Sequence, residues 1–347
     1  MKKRFKVLGL VIIALLLYVG YILSSTGYFR TIENIGQEYI KKEVSIAGVE
    51  DITVDQANDL AIFISYDRAA ERDGNPQKGG IFAMDLSQAS MPVTELSNKI
   101  TVDLLPHGIS LKQMDSTRHR LWVANHADGE SIEIFDLFHK DSLVHVQTLK
   151  DEMIYAINDI VGISESEFYF TNDHYYENTL GRLAENYLGW AKCETVYFDG
   201  SQYRAVVDGI SYANGINYDK DRNLLYIASP RGFKIEVFKR LSNGDLDYFD
   251  TIDTNTGVDN LEFDADGNIW SGSHPNLLAF TAYAAGKKPI APSEVIKIDY
   301  RGKGDYKVET LFLDDGNKVS ASSVAAPYND MILVGNVMDD HFLVLER

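Results

Sequence analysis

The chain has 347 residues, and its 33 Lys and Arg against 51 Asp and Glu give a formal net charge of −18 at pH 7. So acidic a chain is not expected to bind nucleic acid, because that affinity rests on a basic surface. Hydrophobic residues make up 45% of the chain, enough for a large packed core and too many for general disorder. Cys193 is the single cysteine, which excludes an intramolecular disulfide and any CxxC motif.

The N-terminal segment, residues 1–27, differs from the rest of the chain. Basic Met1–Lys6 precedes Val7–Leu23, a stretch of 17 residues without charge. This pattern is typical of a signal peptide or a short membrane anchor, and the lack of an A-x-A cleavage site favours the anchor. Since basic flanks stay in the cytoplasm, we expect the following domain, residues 28–347, to be membrane-anchored on the extracytoplasmic side, or secreted if the segment is cleaved.

Short alternating strands separated by Asp, Asn and Gly turns dominate the sequence from about residue 45. One strand pattern recurs at a mean step of about 52 residues, starting at Ile81, Ile132, Glu194, Ile235, Glu294 and Phe342. Six such units of three or four strands predict an all-β fold, a six-bladed β-propeller. Two short helices are predicted besides these units, Ile32–Lys42 and Arg182–Trp190.

A second series runs in phase with the strands, because a polar residue opens a short apolar stretch in each unit. The same position of every propeller blade faces the central axis, so these residues are expected to converge. Most are carboxylates and carboxamides, and the set comprises Glu50, Asp51, His107, Asn158, Asp159, Asn214, Asp259 and Asn260. Oxygen ligands in this number suit Ca²⁺, whereas zinc prefers His and Cys. Taken singly, each residue is also explained as an ordinary strand-end or turn residue.

Histidines supply the other chemical signal. His107 and His126 lie on consecutive strands of one unit, a hairpin apart, so their imidazoles can meet and relay a proton. His174 and His274 are interpreted as residues of the same mouth. The remaining histidines are predicted to lie at the surface: His119, His139, His145 and His341. The sequence lacks the motifs of serine hydrolases, P-loop proteins and dinucleotide-binding domains.

In the order of its motifs, the chain resembles the paraoxonases (serum paraoxonase/arylesterase), calcium-dependent lactonases with a six-bladed propeller. The resemblance extends from about Glu50 to the C-terminus. The matching pieces are Pro106–Ser110 (PHGIS), Ile157–Val161 (INDIV), Thr171–Tyr175 (TNDHY), Ala213–Asn217 (ANGIN), Val258–Asn260 (VDN) and His274–Asn276 (HPN).

The resemblance implies two calcium ions in the central channel and a histidine dyad beside them. The implied ligands are Glu50, Asn158, Asn214, Asp259 and Asn260 for a catalytic ion, and Asp51, Asp159 and the backbone carbonyl of Ile109 for a buried structural ion. His107 and His126 match the family's dyad. Tyr212 matches an aromatic wall residue of the pocket, next to His174 and His274.

Two features depart from the family pattern. The mammalian members join their chain ends by a disulfide, which Cys193 alone cannot form. We therefore expect the ring to close by pairing between the N-terminal segment and the last strand, Phe342–Leu345. The loop Asp67–Gly80 also differs in composition, with charged residues that include Arg68. Because loops over a propeller mouth select the substrate, the preferred lactone or ester stays open.

The expected function is hydrolysis of lactones and aryl esters, in which Ca²⁺ polarises the carbonyl and His107 deprotonates water with His126 as proton shuttle. Asp259 is an alternative nucleophile or base. Two other functions stay open: a sugar lactonase resembling the gluconolactonase group, and a non-catalytic, calcium-stabilised propeller that binds a partner. The expected partners are a small lactone or ester and, through the N-terminal segment, a membrane; no oligomeric state is predicted.

Overall fold

The computed structural model describes residues 2–347, which form 24 strands in six four-stranded antiparallel sheets. Blade one consists of β2 (Ile52–Asp55), β3 (Leu60–Ser65), β4 (Gly80–Asp85) and β5 (Val93–Glu95). Blade two consists of β6 (Pro106–Gln113), β7 (Arg118–Asn125), β8 (Ser131–Phe138) and β9 (Ser142–Leu149). Blade three consists of β10 (Ile157–Gly162), β11 (Phe168–Asn172), β12 (Cys193–Phe198) and β13 (Tyr203–Ile210). Blade four consists of β14 (Ile216–Asp219), β15 (Leu224–Ser229), β16 (Lys234–Arg240) and β17 (Leu246–Asp253). Blade five consists of β18 (Gly257–Phe263), β19 (Ile269–His274), β20 (Ser293–Gly302) and β21 (Asp305–Asp314). Blade six consists of β22 (Ser322–Tyr328), β23 (Met331–Asn336), β24 (Phe342–Glu346) and β1 (Ile40–Val44). The predicted six-bladed β-propeller is confirmed.

Aspartate side chains shape the turns between the strands. Asp219 Oδ1, at the end of β14, accepts hydrogen bonds from the backbone N–H groups of Asp221 and Arg222, both at 2.9 Å. Asp264 Oδ1 accepts equivalent bonds in the next blade. Asp stabilises tight turns in this way, so these acidic residues are explained by hairpin formation rather than by a calcium loop.

Six of the seven buried clusters among the described residues form the core between the faces of adjacent blades, and a smaller seventh cluster contains Tyr283. The cluster between the first and last blades illustrates this arrangement. Phe63 of β3 packs on Phe82 of β4 and on Phe342 of β24, with ring centroids 5.4 and 5.3 Å apart. Alternating side chains of each strand therefore serve two neighbouring blades, which holds the inner strands close around the central axis.

The ring closes by strand pairing, as expected for a chain with one cysteine. β1 from the N-terminal part pairs antiparallel with β24 at the C-terminus, with Val44 opposite Phe342 and Lys42 opposite Val344. Both chain ends thus belong to one sheet, so opening the ring requires breaking a strand ladder and exposing buried Val44 and Val344.

Four α-helices and a few shorter turns lie outside the sheets in the described part of the chain. They are α1 (Lys2–Ser25), α2 (Arg68–Arg72), α3 (Thr179–Leu183), continued by a π-helical turn at Ala184–Leu188, and α4 (Leu277–Ala284), with 3₁₀ turns at Gln37–Tyr39, Ser97–Lys99 and Pro230–Gly232.

The helix predicted over Ile32–Lys42 was wrong, because Gly36 adopts a left-handed φ of 74° and the following residues pair as β1. Pairing of β1 with the edge of β24 outweighs the local helix propensity of these residues. The helix predicted over Arg182–Trp190 exists with shifted ends. It starts after Asn178, whose side chain caps the Gly181 N–H, and it stops before Gly189.

The apolar N-terminal helix is fastened to the propeller at its C-terminal end. Phe5–Ser25 of α1 has a mean hydropathy of 2.6 and is long and apolar enough to span a membrane. Arg231 Nη1 donates to the Ser25 carbonyl at 3.1 Å, and Thr26 is buried with its carbonyl accepting from Leu277 N–H. Met1, the first residue of the predicted segment 1–27, lies outside the described residues.

Candidate active site

The polar residues that open the inner strands gather in the central channel, as the repeat predicts. Two cavities lie along this channel. The upper cavity, of about 250 Å³, is bordered by Glu50, Asn158 and Asp259. The lower cavity is bordered by Asp51 and Asp159. Residues that are adjacent in sequence, such as Asn158 and Asp159, therefore border different cavities.

A β-bulge explains how neighbours in sequence reach different cavities. The register shifts near the start of the inner strands β6, β10, β18 and β22. A bulge re-aims the side chains next to it, which here separates Asn158 from Asp159. The inner strands also approach closely: a Cβ on Gly108 would lie 2.5 Å from the Asn158 carbonyl oxygen, and one on Gly215 would lie 2.4 Å from that of Asp259. Glycine is required at both positions.

Five side chains share one property and are called the upper set below; four border the upper cavity, and Asn260 contacts the Glu50 carbonyl. Within residues 2–347, each has a buried oxygen without a hydrogen-bond partner, and these five unpaired oxygens are Glu50 Oε2, Asn158 Oδ1, Asn214 Oδ1, Asp259 Oδ1 and Asn260 Oδ1. All five residues are at most 5% exposed. Leaving a polar atom without a hydrogen bond in the interior costs about 1–3 kcal/mol, so five together fit the binding of a positively charged ligand.

The second polar atom of three of these residues is held in place. Asp259 Oδ2 bonds His274 Nε2 at 2.8 Å, and Asn260 Nδ2 donates to the Glu50 carbonyl at 3.1 Å. Asn158 Nδ2 lies 3.3 Å from Asp173 Oδ2. These contacts fix the side chains so that their unpaired oxygens stay available to a ligand.

The donor chemistry of the five unpaired oxygens fits a hard cation. Two come from carboxylates and three from amides, a combination that Ca²⁺ accepts and zinc does not favour. In the described part of the chain, no three His, Cys, Asp or Glu side chains converge as a metal site by themselves. The amide oxygens are therefore an essential part of this site.

The lower set is built differently. Asp51 accepts the N–H of Ile52 at 2.9 Å and that of Ile109 at 2.8 Å, one on each oxygen. Asp159 likewise accepts the N–H groups of Ile160 and Ile216, both at 2.7 Å. Burial raises the pKa of Asp51 to about 8, with Glu50 and Asp259 adding repulsion.

Burial also raises the pKa of Asp159 well above its usual range, and the Asp51 carboxylate adds to the effect. Ile109 borders the same lower cavity, next to the two aspartates. Two mutually repelling buried carboxylates in one cavity are compatible with a bound cation between them.

The histidine pair stands beside the upper set. His107 Nδ1 lies 2.9 Å from His126 Nε2, so one ring donates to the other. His107 Nε2 faces the cavity, 3.2 Å from Glu50 Oε1 and 3.3 Å from Asn158 Nδ2. Burial lowers the pKa of His107, but the Glu50 carboxylate outweighs burial and raises it overall.

The three predicted pocket residues line the upper cavity. His174 Nδ1 pairs with Asp173 Oδ1 at 2.6 Å, and its ring meets the ring of Tyr212 edge to face at 5.0 Å. His274, fixed by Asp259, stacks on Phe280 with centroids 4.0 Å apart. These rings give the cavity apolar walls around its polar floor.

Sequence reasoning missed several residues of the site. Arg68 Nη2 lies 3.6 Å from Glu50 Oε2 and donates to the Pro106 carbonyl at 3.2 Å, so a cation borders the upper cavity. Glu130 Oε2 lies 3.0 Å from His126 Nδ1. Glu262 borders the lower cavity, and burial together with Asp51 raises its pKa well above the usual range.

One of the histidines predicted at the surface lies inside. His119 is 5% exposed and bonds Asp55 Oδ2 at 2.6 Å, so that prediction was wrong. His139 is exposed, and His145 and His341 are half-buried.

Comparison with known proteins identifies the family. The family model described as Arylesterase matches residues 70–344. The chain belongs to the arylesterase family. Human serum paraoxonase/arylesterase 1 is 35% identical over 271 residues, which cover 76% of each chain. Rat serum paraoxonase/arylesterase 2 is 33% identical over 298 residues, which cover 84% of this chain and 83% of the rat protein. The resemblance found from the motifs is thus confirmed, and this arylesterase-family chain is a carboxylic-ester hydrolase.

Solved structures show the same architecture for the arylesterase-family chain at low sequence identity. A luciferin-regenerating enzyme has a TM-score of 0.56 with 12% identity, covering 90% of this chain and 94% of that one. A gluconolactonase from Xanthomonas campestris has a TM-score of 0.53 with 13% identity, covering 91% and 93%. These likenesses establish the shared propeller fold.

Proposed function

We propose that this member of the arylesterase family is a calcium-dependent hydrolase of lactones and aryl esters. The observation that carries the proposal is the set of five unpaired oxygens beside the His107–His126 pair. Four of the five residues border the aromatic-walled upper cavity, and the fifth, Asn260, donates to the Glu50 carbonyl. A hard cation satisfies the oxygens, and the histidines supply a base next to it. The names of the relatives, serum paraoxonase/arylesterase, support the ester substrates.

Calcium would be held by Glu50, Asn158, Asn214, Asp259 and Asn260 through the five unpaired oxygens. Bound there, it would supply the positive charge that polarises the ester carbonyl and stabilises the oxyanion formed on attack. Arg68 and the rings of His174, Tyr212 and Phe280 surround this position and orient the substrate.

The histidine pair moves the proton. His107 Nε2 accepts a proton from water while the water oxygen bonds to the carbonyl carbon, and the Nδ1 proton of His107 passes to His126 Nε2 across 2.9 Å. When the C–O bond of the ester breaks, the stored proton returns through His107 to the leaving oxygen. Ester and water are thus converted into acid and alcohol without a serine nucleophile.

A second calcium ion is proposed for the lower cavity. Asp51, Asp159 and the backbone carbonyl of Ile109 would hold it, since two buried carboxylates there repel each other and lack a cationic side chain among the residues that border the cavity in the described part of the chain. This ion would stabilise the fold rather than bind substrate, because its ligands link neighbouring blades.

The proposal is tested with phenyl acetate and a medium-chain lactone, assayed in calcium and after EDTA treatment. We expect turnover of both that disappears with EDTA and returns with added Ca²⁺. His107→Gln should lower kcat by about 10²- to 10⁴-fold while calcium binding is retained. Full activity of that variant would exclude His107 as the base and shift the role to Asp259.

Two other functions are separated by the same assay. A sugar lactonase is favoured by one observation, the shared fold with a gluconolactonase, and would hydrolyse gluconolactone faster than phenyl acetate. A binding module would bind calcium but hydrolyse none of these substrates. The His107–His126 pair next to the five unpaired oxygens favours the arylesterase-like enzyme over both.

The N-terminal segment, residues 1–27, is proposed to anchor the propeller domain, residues 28–347, to a membrane from the extracytoplasmic side. The helix Phe5–Ser25 is apolar enough to span, and its end at Ser25 is fastened to the rim of the upper cavity by Arg231. An anchored protein stays with membranes after a salt wash, whereas a soluble protein starting after Ser25 would show that the segment is cleaved.

A further inference from the structure

We propose that Glu130 is a positioning residue that extends the histidine dyad into a three-residue chain, Glu130–His126–His107. The inference rests on the proposed function, in which His107 is the base. Glu130 Oε2 lies 3.0 Å from His126 Nδ1, and His126 Nε2 lies 2.9 Å from His107 Nδ1. The chain ends at His107 Nε2, which faces the upper cavity.

The carboxylate decides which nitrogen of each ring carries the proton. An ionised carboxylate accepts only, so His126 must donate its Nδ1–H to Glu130 and keep a lone pair on Nε2. That lone pair then accepts the Nδ1–H of His107, which directs proton exchange with water to His107 Nε2. Glu50 Oε1 lies 3.2 Å from this nitrogen and stabilises the proton once it has been taken up. Asn158 Nδ2, at 3.3 Å, donates to the Nε2 lone pair of His107 and agrees with this tautomer.

Glu130 is itself held in the geometry that this role needs. Its Oε2 also accepts the N–H of Ile157 at 3.1 Å, the residue before Asn158. The carboxylate thus ties the loop between β7 and β8 to the inner strand that carries one of the five unpaired oxygens. The side chain is 30% exposed, so the outer end of the chain reaches solvent.

Other histidine–carboxylate pairs in the protein show what is particular about this one. Glu133 Oε2 bonds His145 Nε2 at 2.9 Å, but Glu133 is also satisfied by Thr148 and the pair borders neither channel cavity. His126 differs because its second nitrogen contacts His107. Carboxylates that orient a base through its far nitrogen stabilise the charged ring formed on proton transfer.

The test is Glu130→Gln, which keeps the shape of the side chain and removes its charge. We expect kcat for phenyl acetate and for the lactone to fall about 10- to 100-fold with KM changed less than about twofold, because orienting partners of this kind typically have effects of that size. The matched control is Asp128→Asn in the same loop, an exposed carboxylate that pairs with Lys150 and lies outside the cavity. The control should keep full activity.

Two further readouts separate positioning from a merely structural role. ¹⁵N spectra of histidine-labelled protein should show the Nδ1–H tautomer of His126 in the native protein and a mixture of tautomers in Glu130→Gln. Glu130→Asp, which retains the charge, should recover part of kcat. In a His126→Gln background, Glu130→Gln should have no further effect, because residues that act through one another are not additive.

The outcomes distinguish the inference from the proposed function. If His126→Gln lowers kcat but Glu130→Gln leaves both kcat and the tautomer unchanged, the dyad stands and the role of Glu130 is refuted. If Glu130→Gln and His126→Gln give additive losses, Glu130 does not act through His126 and the inference is again refuted. If His107→Gln and His126→Gln both keep full activity, the histidine mechanism of the proposed function fails, and the role of base shifts to Asp259.

Discussion

The upper and lower cavities of the channel use the same kinds of residues in opposite ways. In the lower cavity, the oxygens of Asp51 and Asp159 accept backbone N–H groups, and two of those bonds cross to the next blade, at Ile109 and Ile216. In the upper cavity, the matching residues keep one oxygen each without a partner. The lower set therefore ties blades together, whereas the upper set leaves its oxygens to a ligand.

This difference teaches how one repeated position can serve two purposes. The bulged start of an inner strand offers two consecutive side chains, such as Asn158 and Asp159, to two cavities. In the Glu50–Asp51 and Asn158–Asp159 pairs, backbone N–H groups satisfy the second residue, which makes the lower cavity rigid. The Asp259–Asn260 pair differs, because both of its residues keep an unpaired oxygen. The first residue of each pair faces the upper cavity, which His107 and Arg68 also border and in which we propose that the ester is hydrolysed.

The largest expected effect comes from breaking the upper set. Asp259→Asn keeps the shape of the side chain but removes one of the two carboxylates among the five unpaired oxygens. Because ligand charge sets calcium affinity, we expect the dissociation constant of one ion to rise more than about 100-fold and esterase activity to fall more than about 10³-fold. Isothermal titration with Ca²⁺ and the phenyl acetate assay measure both.

The control for this variant is Asp266→Asn, an exposed turn residue of the same blade. It should match the native protein in both assays. Native calcium affinity in Asp259→Asn would contradict the assignment of the upper set.

The second prediction concerns the lower set, where the loss of thermal stability caused by a substitution should depend on calcium. With Ca²⁺ present, Asp51→Asn should lower the midpoint of thermal unfolding by several degrees, because a ligand that binds only the folded state stabilises it. With EDTA present the loss should be clearly smaller, since the variant relieves the repulsion between two buried carboxylates while it still loses one of the two backbone hydrogen bonds that Asp51 accepts. Calorimetry in both buffers tests this, and a destabilisation of equal size in both would contradict it.

The third prediction sharpens the comparison by removing one acidic charge from the border of the lower cavity. Glu262 is a third acidic residue at its border, close enough to Asp51 that the Asp51 carboxylate adds to the effect of burial in raising the pKa of Glu262. We expect Glu262→Gln to weaken binding of the second ion about tenfold and to leave kcat unchanged, because an additional carboxylate strengthens a calcium site. Titration with Ca²⁺ should then give two clearly separated steps, and an unchanged second step would remove Glu262 from the site.

Sequence alone predicted what the repeat dictates. The polar residues at the starts of inner strands, such as Glu50 and Asn214, were expected at the axis because a propeller places equivalent positions together. The ring closure through Phe342–Leu345 also followed, since a single cysteine excludes a disulfide and strand pairing was the remaining way to join the ends.

The residues that were missed lie where the repeat gives no information. Glu130 and Arg68 are on connections between strands, whose paths depend on packing against neighbouring blades rather than on a local pattern. His119 was expected at the surface, but Asp55 on the neighbouring blade accepts a hydrogen bond from its ring, which allows the histidine to be buried. The predicted helix over Ile32–Lys42 failed for the related reason that β1 forms only when β24 is beside it.

The smallest expected effect tests the one cation that borders the upper cavity near Glu50. Arg68 Nη2 lies 3.6 Å from Glu50 Oε2, so its charge competes with a metal ion for that carboxylate. A unit charge at such a distance is worth about 1 kcal/mol under full solvent screening and more beside a buried carboxylate, so about fivefold in a dissociation constant is the minimum effect. Arg68→Met should therefore tighten calcium binding at least about fivefold, whereas Arg72→Met, four residues further along and outside the cavity lining, should change nothing. Weaker binding in Arg68→Met would show instead that the guanidinium holds Glu50 in its ligating position, and the upper set would then depend on a loop residue that the strand repeat does not encode.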